Sequence, residues 1–272
     1  MQDPAETCTA LAIHSDAACF TDPLKLPERL LTIGHHEIVI QQAYLADGKG
    51  GSQLGFGASV YPAAIVLSTW LHDALVYGSA ACPDLARRLR AGTLVELGAG
   101  TGLVSAVAAR AGSPSVCCTD GDAALLAQLT LPNIQRIVAA SPEPCCRPQV
   151  LPWLWGHRQH ARTVLAHAAA AATPTGSIAA IVAADVVAVP YAEALAALLT
   201  DLRGMCLAAA SMDGSGVPPP VLIAYTRRHH SEDTWWTEAA RWFRATALDV
   251  AACAPEFADR VRLVRLDMHV SP

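Results

Sequence analysis

Three glycines at alternate positions, Gly98, Gly100 and Gly102, have the spacing in this 272-residue chain that most directly indicates chemistry. They follow a short apolar run, residues 94–97, which is typical of a buried parallel strand. An alanine-rich segment with the composition of a helix, residues 104–111, comes next. A strand, a glycine turn and a helix begin many nucleotide-binding α/β sheets, because glycine lets a ligand approach the backbone without a Cβ in the way.

The spacing distinguishes two kinds of ligand. In a dinucleotide-binding loop, G-x-G-x-x-G, the third glycine comes five residues after the first, whereas here it comes after four and Leu103 is at the fifth. Glu96, two residues before Gly98, would repel a pyrophosphate but attract a cationic ligand with an amino-acid moiety. E-x-G-x-G-x-G is typical of enzymes that use S-adenosylmethionine (SAM), so Glu96, Gly98, Ala99 and Gly100 are predicted to bind SAM.

Two carboxylates end later strands. Asp120 closes the strand at residues 115–120 and could accept two hydrogen bonds from a ribose diol, or cap the helix that follows. Neither arginine nor lysine follows it directly, which disfavours a 2′-phosphate and hence NADP. Asp185 closes the strand at residues 178–184, at the edge where open α/β sheets bind ligands; the alternative is again a helix cap.

The remaining pattern predicts a seven-strand, mostly parallel, Rossmann-like α/β sheet with one late antiparallel strand and an N-terminal β extension. Residues 1–29 are interpreted as a loosely ordered extension and residues 30–272 as one domain. Further strands are predicted at residues 37–42, 221–226 and 262–267, the last antiparallel, and residues 149–156 are predicted to form another strand with its exit loop. Helices are predicted at residues 122–131, 192–203 and 233–246, and residues 160–173 are interpreted as an alanine-rich helix or a linker.

Bulk properties exclude several functions. The net charge of −5 weighs against a nucleic-acid surface, and no apolar stretch is long enough without interruption to predict a membrane span. Nine cysteines without C-x-x-C spacing predict no zinc site, and the pairs His35-His36 and His229-His230 are interpreted as solvated loops. The acidic N-terminus lacks signal-peptide character, so we expect a cytoplasmic monomer.

Four stretches of residues 33–266 resemble the protein-lysine methyltransferase family, whose members modify chaperones, an AAA ATPase, elongation factors and calmodulin. The stretches are GASVYPAAIVLSTWL, LVELGAGTGLVS, VLPWLWG, and IVAADVVAVPYAEAL followed by VLIAYTRRH. The resemblance implies that Tyr61 packs over the cofactor and that Trp155 contacts its adenine, with Trp153 as the rival for that role. It also implies that the backbone of Ala184 faces the cofactor.

The resemblance further implies that Asp185 orients the amine that receives the methyl group. The family commonly has D-x-x-Y or D-x-x-F here, but this chain has Ala188 at the third position and Tyr191 at the sixth. We expect Tyr191 to fill the aromatic position. Arg227 and Arg228, after the fifth strand, either steer an acidic substrate or lie in a solvated turn.

The leading hypothesis is therefore methyl transfer from SAM to a lysine ε-amine of a protein substrate. One alternative is an enzyme of the same fold that acts on another amine or a small molecule. A second is a methyltransferase-like binding module without turnover, and a third, an NAD-dependent oxidoreductase, is disfavoured by the glycine spacing.

Overall fold

The computed structural model describes residues 22–43, 54–79, 81–212, 214, 216–230 and 232–269. Two strands form an N-terminal hairpin, β1 (Glu28–Ile33) and β2 (His36–Gln41). Seven form the main sheet: β3 (Thr93–Leu97), β4 (Ser115–Asp120), β5 (Gln149–Pro152), β6 (Ile178–Ala184), β7 (Val221–Thr226), β8 (Phe243–Leu248) and β9 (Val261–Met268). The helices are α1 (Pro62–Val76), α2 (Pro83–Leu89), α3 (Leu103–Arg110), α4 (Ala123–Leu125), α5 (Leu131–Ala139), α6 (Arg158–Ala170), α7 (Leu195–Met212) and α8 (Glu232–Ala239).

The main sheet has the order β5-β4-β3-β6-β7-β9-β8. The pairs from β5 through β7 are parallel, whereas β9 runs antiparallel to both β7 and β8. The predicted fold class, including the single late antiparallel strand, is confirmed. The order reverses between β3 and β6, so the carboxyl ends of β3, β4 and β6 meet at a switch point where such sheets bind ligands.

Helices cover both faces of the sheet. Because successive side chains of a strand point to opposite faces, Leu94 packs toward α1, α2 and α3, whereas Val95 packs toward α6, α7 and α8. Strands β3, β4, β6 and β7 are largely buried on both sides, which explains their mainly apolar sequences, whereas the edge strand β5 is only partly buried.

The N-terminal hairpin packs on the first face. Its inward side chains Ile33, Ile38 and Ile40 are buried against α3 and α5. The predicted β extension is therefore a hairpin, and β1 begins two residues inside the segment interpreted as loosely ordered; residues 1–21 of that segment lie outside the described residues.

Asn133 joins this hairpin to the glycine loop. Its amide oxygen accepts from the Gln41 N–H at 3.0 Å, and its amide nitrogen donates to the carbonyls of Gln41 at 2.9 Å and Thr101 at 3.0 Å. The sequence predicted that the helix after β4 ends at Leu131, and this is wrong: a π-helical turn, Leu126–Thr130, carries it on into α5. The continuation brings the Asn133 amide to the loop.

The predicted helix at residues 233–246 is also wrong in its second half. Helix α8 ends at Ala239, and Phe243 begins the edge strand β8. Phe243 is buried but the next four residues are exposed, so the segment shows no strand periodicity. Its pairing with β9 decides its conformation.

One helical stretch, Tyr191–Met212, is long and apolar enough by length and composition to cross a membrane. Its residues Leu198, Leu202 and Met205 are nevertheless buried against the sheet. The apolar character of this stretch is accounted for by its role as a core helix.

Candidate functional site

A cavity of about 490 Å³ opens at the carboxyl ends of β3, β4 and β6. Its size lies within the range of small-molecule sites. It is lined by every residue that the sequence predicted for the cofactor and the acceptor: Tyr61, Glu96, Gly98, Ala99, Gly100, Asp120, Trp155, Ala184, Asp185 and Tyr191.

The glycine loop forms the floor of this cavity. Gly98 and Gly100 have φ angles of 64° and 53°, which side chains rarely allow. A Cβ at position 98 would lie 2.8 Å from Cγ1 of Val186, and one at position 100 would lie 2.7 Å from the carbonyl oxygen of Gly57. The chain therefore requires glycine at both positions for conformation and for space.

Asp120 braces the loop from β4. One carboxylate oxygen accepts from the Gly100 N–H at 3.0 Å, and the other accepts from the Asp122 N–H at 3.1 Å. Burial raises the pKa of Asp120, while these hydrogen bonds act to lower it. Asp122, not Asp120, caps the following helix by accepting from Ala124 and Leu125. The Asp120 carboxylate has lone pairs to spare for a ligand hydroxyl.

Glu96 lies beneath the loop and is only 1% exposed. Its Oε2 accepts from both the backbone N–H, at 3.0 Å, and the hydroxyl of Ser105, which ties β3 to α3. Burial raises the pKa of Glu96 to about 8. Both bonds use Oε2, so Oε1 is the atom that could meet a cationic group in the cavity.

The two tryptophans after β5 have different environments. Trp153 is buried, and its Nε1–H donates to Asp201 at 3.1 Å; the Gly156 N–H donates to the same carboxylate oxygen at 2.7 Å. Asp201 thus fixes the turn between them, which carries Trp155 into the cavity. The sequence analysis missed Asp201, although an acid within the apolar pattern of α7 was a usable signal.

The acceptor end of the cavity contains an ion pair. Asp185 accepts from the Thr226 N–H at 2.8 Å, and its two oxygens face Arg228 Nη1 at 3.1 Å and Nη2 at 2.9 Å. Burial acts to lower the pKa of Arg228, but the hydrogen bonds and charge of Asp185 outweigh it and raise that pKa. Within the described part of the chain, Asp185 is also the sole residue other than glycine with a positive φ, 55°.

The sequence left the role of Arg228 open, and the structure places its side chain in the cavity, not in a solvated turn. Its guanidinium lies in the cavity against Asp185, 5.7 Å from the centre of the Tyr61 ring. Arg227 instead pairs with Asp233, and both side chains are exposed. Asp185 is therefore not a bare carboxylate, because a cation from this chain already lies against it.

Two tyrosines complete this end. The Tyr191 ring meets the Trp155 ring edge-on, with 5.9 Å between the ring centres. Burial raises the pKa of Tyr191 to about 12 and also raises that of Tyr61, so both hydroxyls are neutral at pH 7. Trp155, Tyr191 and Tyr61 give the cavity an aromatic wall.

A family model described as lysine methyltransferase matches residues 42–242. The chain belongs to the lysine methyltransferase family. Members of this family take their methyl group from SAM, so the chain belongs to a group of SAM-dependent methyltransferases. This confirms the family and the cofactor predicted from the sequence.

No curated protein matches the chain. Among solved structures, a putative SAM-dependent methyltransferase from Streptococcus mutans is similar with a TM-score of 0.50 at 10% identity, and the match covers 89% of this chain. This chain spans only 56% of that protein's length. The SAM-dependent methyltransferase from Agrobacterium tumefaciens has a TM-score of 0.49 at 15% identity, with 89% of this chain and 70% of the other covered.

The residues of this family member fit SAM. The loop at Gly98 and Gly100 leaves no room for a Cβ, as a backbone that cradles a ligand requires. Asp120 has acceptor capacity for a ribose diol, Trp155 offers an aromatic face, and Glu96 offers a buried oxygen for a cation.

Proposed function

We propose that this protein transfers methyl groups from SAM to the ε-amine of a lysine in another protein. The observation that carries the proposal is the acceptor end of the cavity, where Asp185 and the rings of Tyr61 and Tyr191 line the same space as the glycine loop. A carboxylate attracts an ammonium, and aromatic faces hold the cation and the aliphatic chain of a lysine. The family match supports the same substrate class.

Four residues would hold the cofactor. Asp120 would accept hydrogen bonds from the ribose, Trp155 would pack on the adenine, and Glu96 with the loop at Gly98 would receive the amino-acid part. When bound, SAM supplies a methyl group on a sulfonium, which is already a good leaving group. The protein must therefore mainly align the amine and the methyl group, and exclude water.

The amine must lose a proton before it can attack, because a lysine is charged at pH 7. Asp185 draws the ammonium to the acceptor end and orients it. The guanidinium of Arg228, on the same carboxylate, is a second cation close by and disfavours the charged form of the amine. Asp185 thus orients the amine, while Arg228 offsets the charge of that carboxylate and favours release of the ammonium proton to solvent.

The neutral hydroxyls of Tyr61 and Tyr191 give the amine further hydrogen-bond partners. A tyrosine hydroxyl can accept a hydrogen bond from the ammonium and, after proton loss, from an N–H of the amine, which leaves the nitrogen lone pair free to attack. The rings beside it limit the access of water to the amine.

Two measurements test the proposal. Calorimetry should detect binding of SAM but not of NAD, and NAD binding without SAM binding would overturn the cofactor assignment. The protein should then be incubated with methyl-labelled SAM and a cell lysate, and the labelled band analysed by mass spectrometry. We expect methylated lysine in a protein.

The alternatives predict other results. If the label appears in a small molecule or on another amine, that group and not lysine is the acceptor. SAM binding without any labelling, in lysates from several sources, would favour a binding module without turnover. For any variant that breaks the Asp185–Arg228 pair, Asp233→Asn is a matched control, because it breaks the neighbouring but exposed ion pair with Arg227.

A further inference from the structure

We propose that His35, His36 and His72 form a binding site for a divalent transition-metal ion of the zinc class. His35 and His36 lie where the chain turns from β1 into β2, and His72 lies on α1. One ligand nitrogen from each ring lies within 4.8 Å of the others. None of these three residues lines the cofactor cavity, so the site is separate from the proposed methyl transfer.

His72 is the anchor of this cluster. Its side chain is fully buried, and its Nδ1 lies 2.9 Å from a carboxylate oxygen of Asp73. A neutral ring that donates from Nδ1 has its lone pair on Nε2, and this Nε2 has no hydrogen-bond partner among the described residues. A histidine whose other nitrogen is held by a carboxylate is the usual arrangement of a metal ligand.

The turn of the hairpin is shaped around this ring. Gly34 has a φ of 59°, and a Cβ there would lie 2.4 Å from Nε2 of His72 and 2.0 Å from its Cε1. Glycine thus brings the backbone that carries His35 and His36 directly against the buried nitrogen. The ring centres of His35 and His36 lie 5.7 Å and 5.6 Å from that of His72.

His36 is suited to bind a metal but has a competitor. Nη2 of Arg110 lies 3.0 Å from Nδ1 of His36. A metal on Nδ1 of His36 must displace Arg110, and a metal on Nε2 requires the ring proton on Nδ1, which also displaces Arg110.

Three imidazoles and a water are a common set of ligands for zinc. Zinc–nitrogen bonds of about 2.0–2.1 Å in a tetrahedron place the nitrogens roughly 3.4 Å apart, so the cluster must contract by about 1 Å. His35 is exposed on the turn and can supply that movement. The bound ion would fasten the hairpin to α1.

The test uses full-length protein without a histidine tag, cleared of metal with a chelator that is then removed. Calorimetry with ZnCl2 should detect one equivalent per chain, and CoCl2 should give the intense visible absorption of a tetrahedral site. We expect His72→Ala to weaken zinc binding at least about tenfold and Asp73→Asn to weaken it about 10–100-fold. Arg110→Gln should strengthen it, because the competitor for His36 is gone.

The controls address folding and other histidines. His35→Ala, on the exposed turn, should weaken binding even if the buried His72→Ala variant fails to fold, and circular dichroism checks both. His230→Ala alters the other adjacent histidine pair and should leave zinc affinity unchanged. Absence of zinc binding in the wild type, or binding that His35→Ala and His72→Ala leave intact, would overturn the proposal.

Discussion

Asp185→Asn separates the role of the carboxylate in methyl transfer from its role in the fold. The variant preserves size, and an amide oxygen can still accept from the Thr226 N–H. Asparagine also tolerates the positive φ at this position. What is lost is the negative charge and the hydrogen bond from Arg228 Nη2, because the amide nitrogen that replaces Oδ2 is itself a donor.

The two effects differ in size. The Arg228 side chain is 37% exposed, so solvent screens the pair and its loss should change the free energy of unfolding by only about 1 kcal/mol. Methyl transfer should fall by roughly 10²-fold or more, the lower end of what positioned acid–base groups contribute, or about 2.7 kcal/mol in the barrier. SAM affinity should remain nearly unchanged, because the contacts proposed for the cofactor are those of Asp120 and Trp155.

The assay measures the initial rate of label transfer at saturating SAM, onto the lysate protein that the wild type methylates. Chemical denaturation and calorimetric SAM titration accompany it. Asp233→Asn, in the exposed pair with Arg227, should retain the wild-type rate. If folded, SAM-saturated Asp185→Asn methylates at the full rate, the carboxylate has no part in the reaction and the acceptor assignment is refuted.

Three further predictions concern the walls of the cavity. Trp155→Ala should weaken SAM binding by about 1–3 kcal/mol, the scale of a lost base–aromatic stack. Trp153→Ala should weaken SAM binding less but lower the free energy of unfolding more. If calorimetry ranks the two SAM affinities in the reverse order, the loop after β5 is misassigned. Tyr191→Ala should reduce methyl transfer more than Tyr191→Phe, because the ring and not the hydroxyl fills the aromatic position; equal rates would contradict this. The raised pKa of Glu96, about 8 against 4.5 in the unfolded chain, means that the folded state holds this proton more tightly. Its stabilising contribution is present below about pH 4.5 and is lost as the pH rises to about 8. Glu96→Gln should therefore flatten the fall in the free energy of unfolding over this range. If the wild type and the variant show the same pH dependence in chemical denaturation, the pKa of Glu96 is not raised.

The sequence was most informative where chemistry depends on neighbouring residues. The loop from Glu96 to Gly102 and the acid at the end of β4 are local patterns, because glycine spacing and strand ends directly determine what the backbone offers a ligand. Asp185 was found in the same way. The predicted site residues therefore meet in one cavity, although their individual roles remain predictions.

The sequence was least informative where tertiary contacts decide. The ion pair between Asp185 and Arg228 joins residues 43 positions apart, and nothing in a run of two arginines shows which one turns inward. The edge strand β8 has one buried residue, Phe243, so its pattern fits a helix as well as a strand. His72 lies within an apolar helix pattern, and its proximity to His35 and His36 depends on how the hairpin packs.

The hydrogen bonds of Asn133 have a consequence for local unfolding. One side chain holds both backbone groups of Gln41, at the end of β2, and the carbonyl of Thr101, in the glycine loop. A fluctuation that lifts the hairpin must break the two bonds to Gln41, at a net cost of roughly 0.5–1.5 kcal/mol each, while Asn133 keeps its bonds to Thr101 and Arg136. Asn133 thus couples the hairpin to the glycine loop, and a ligand that steadies the loop also favours the packed hairpin.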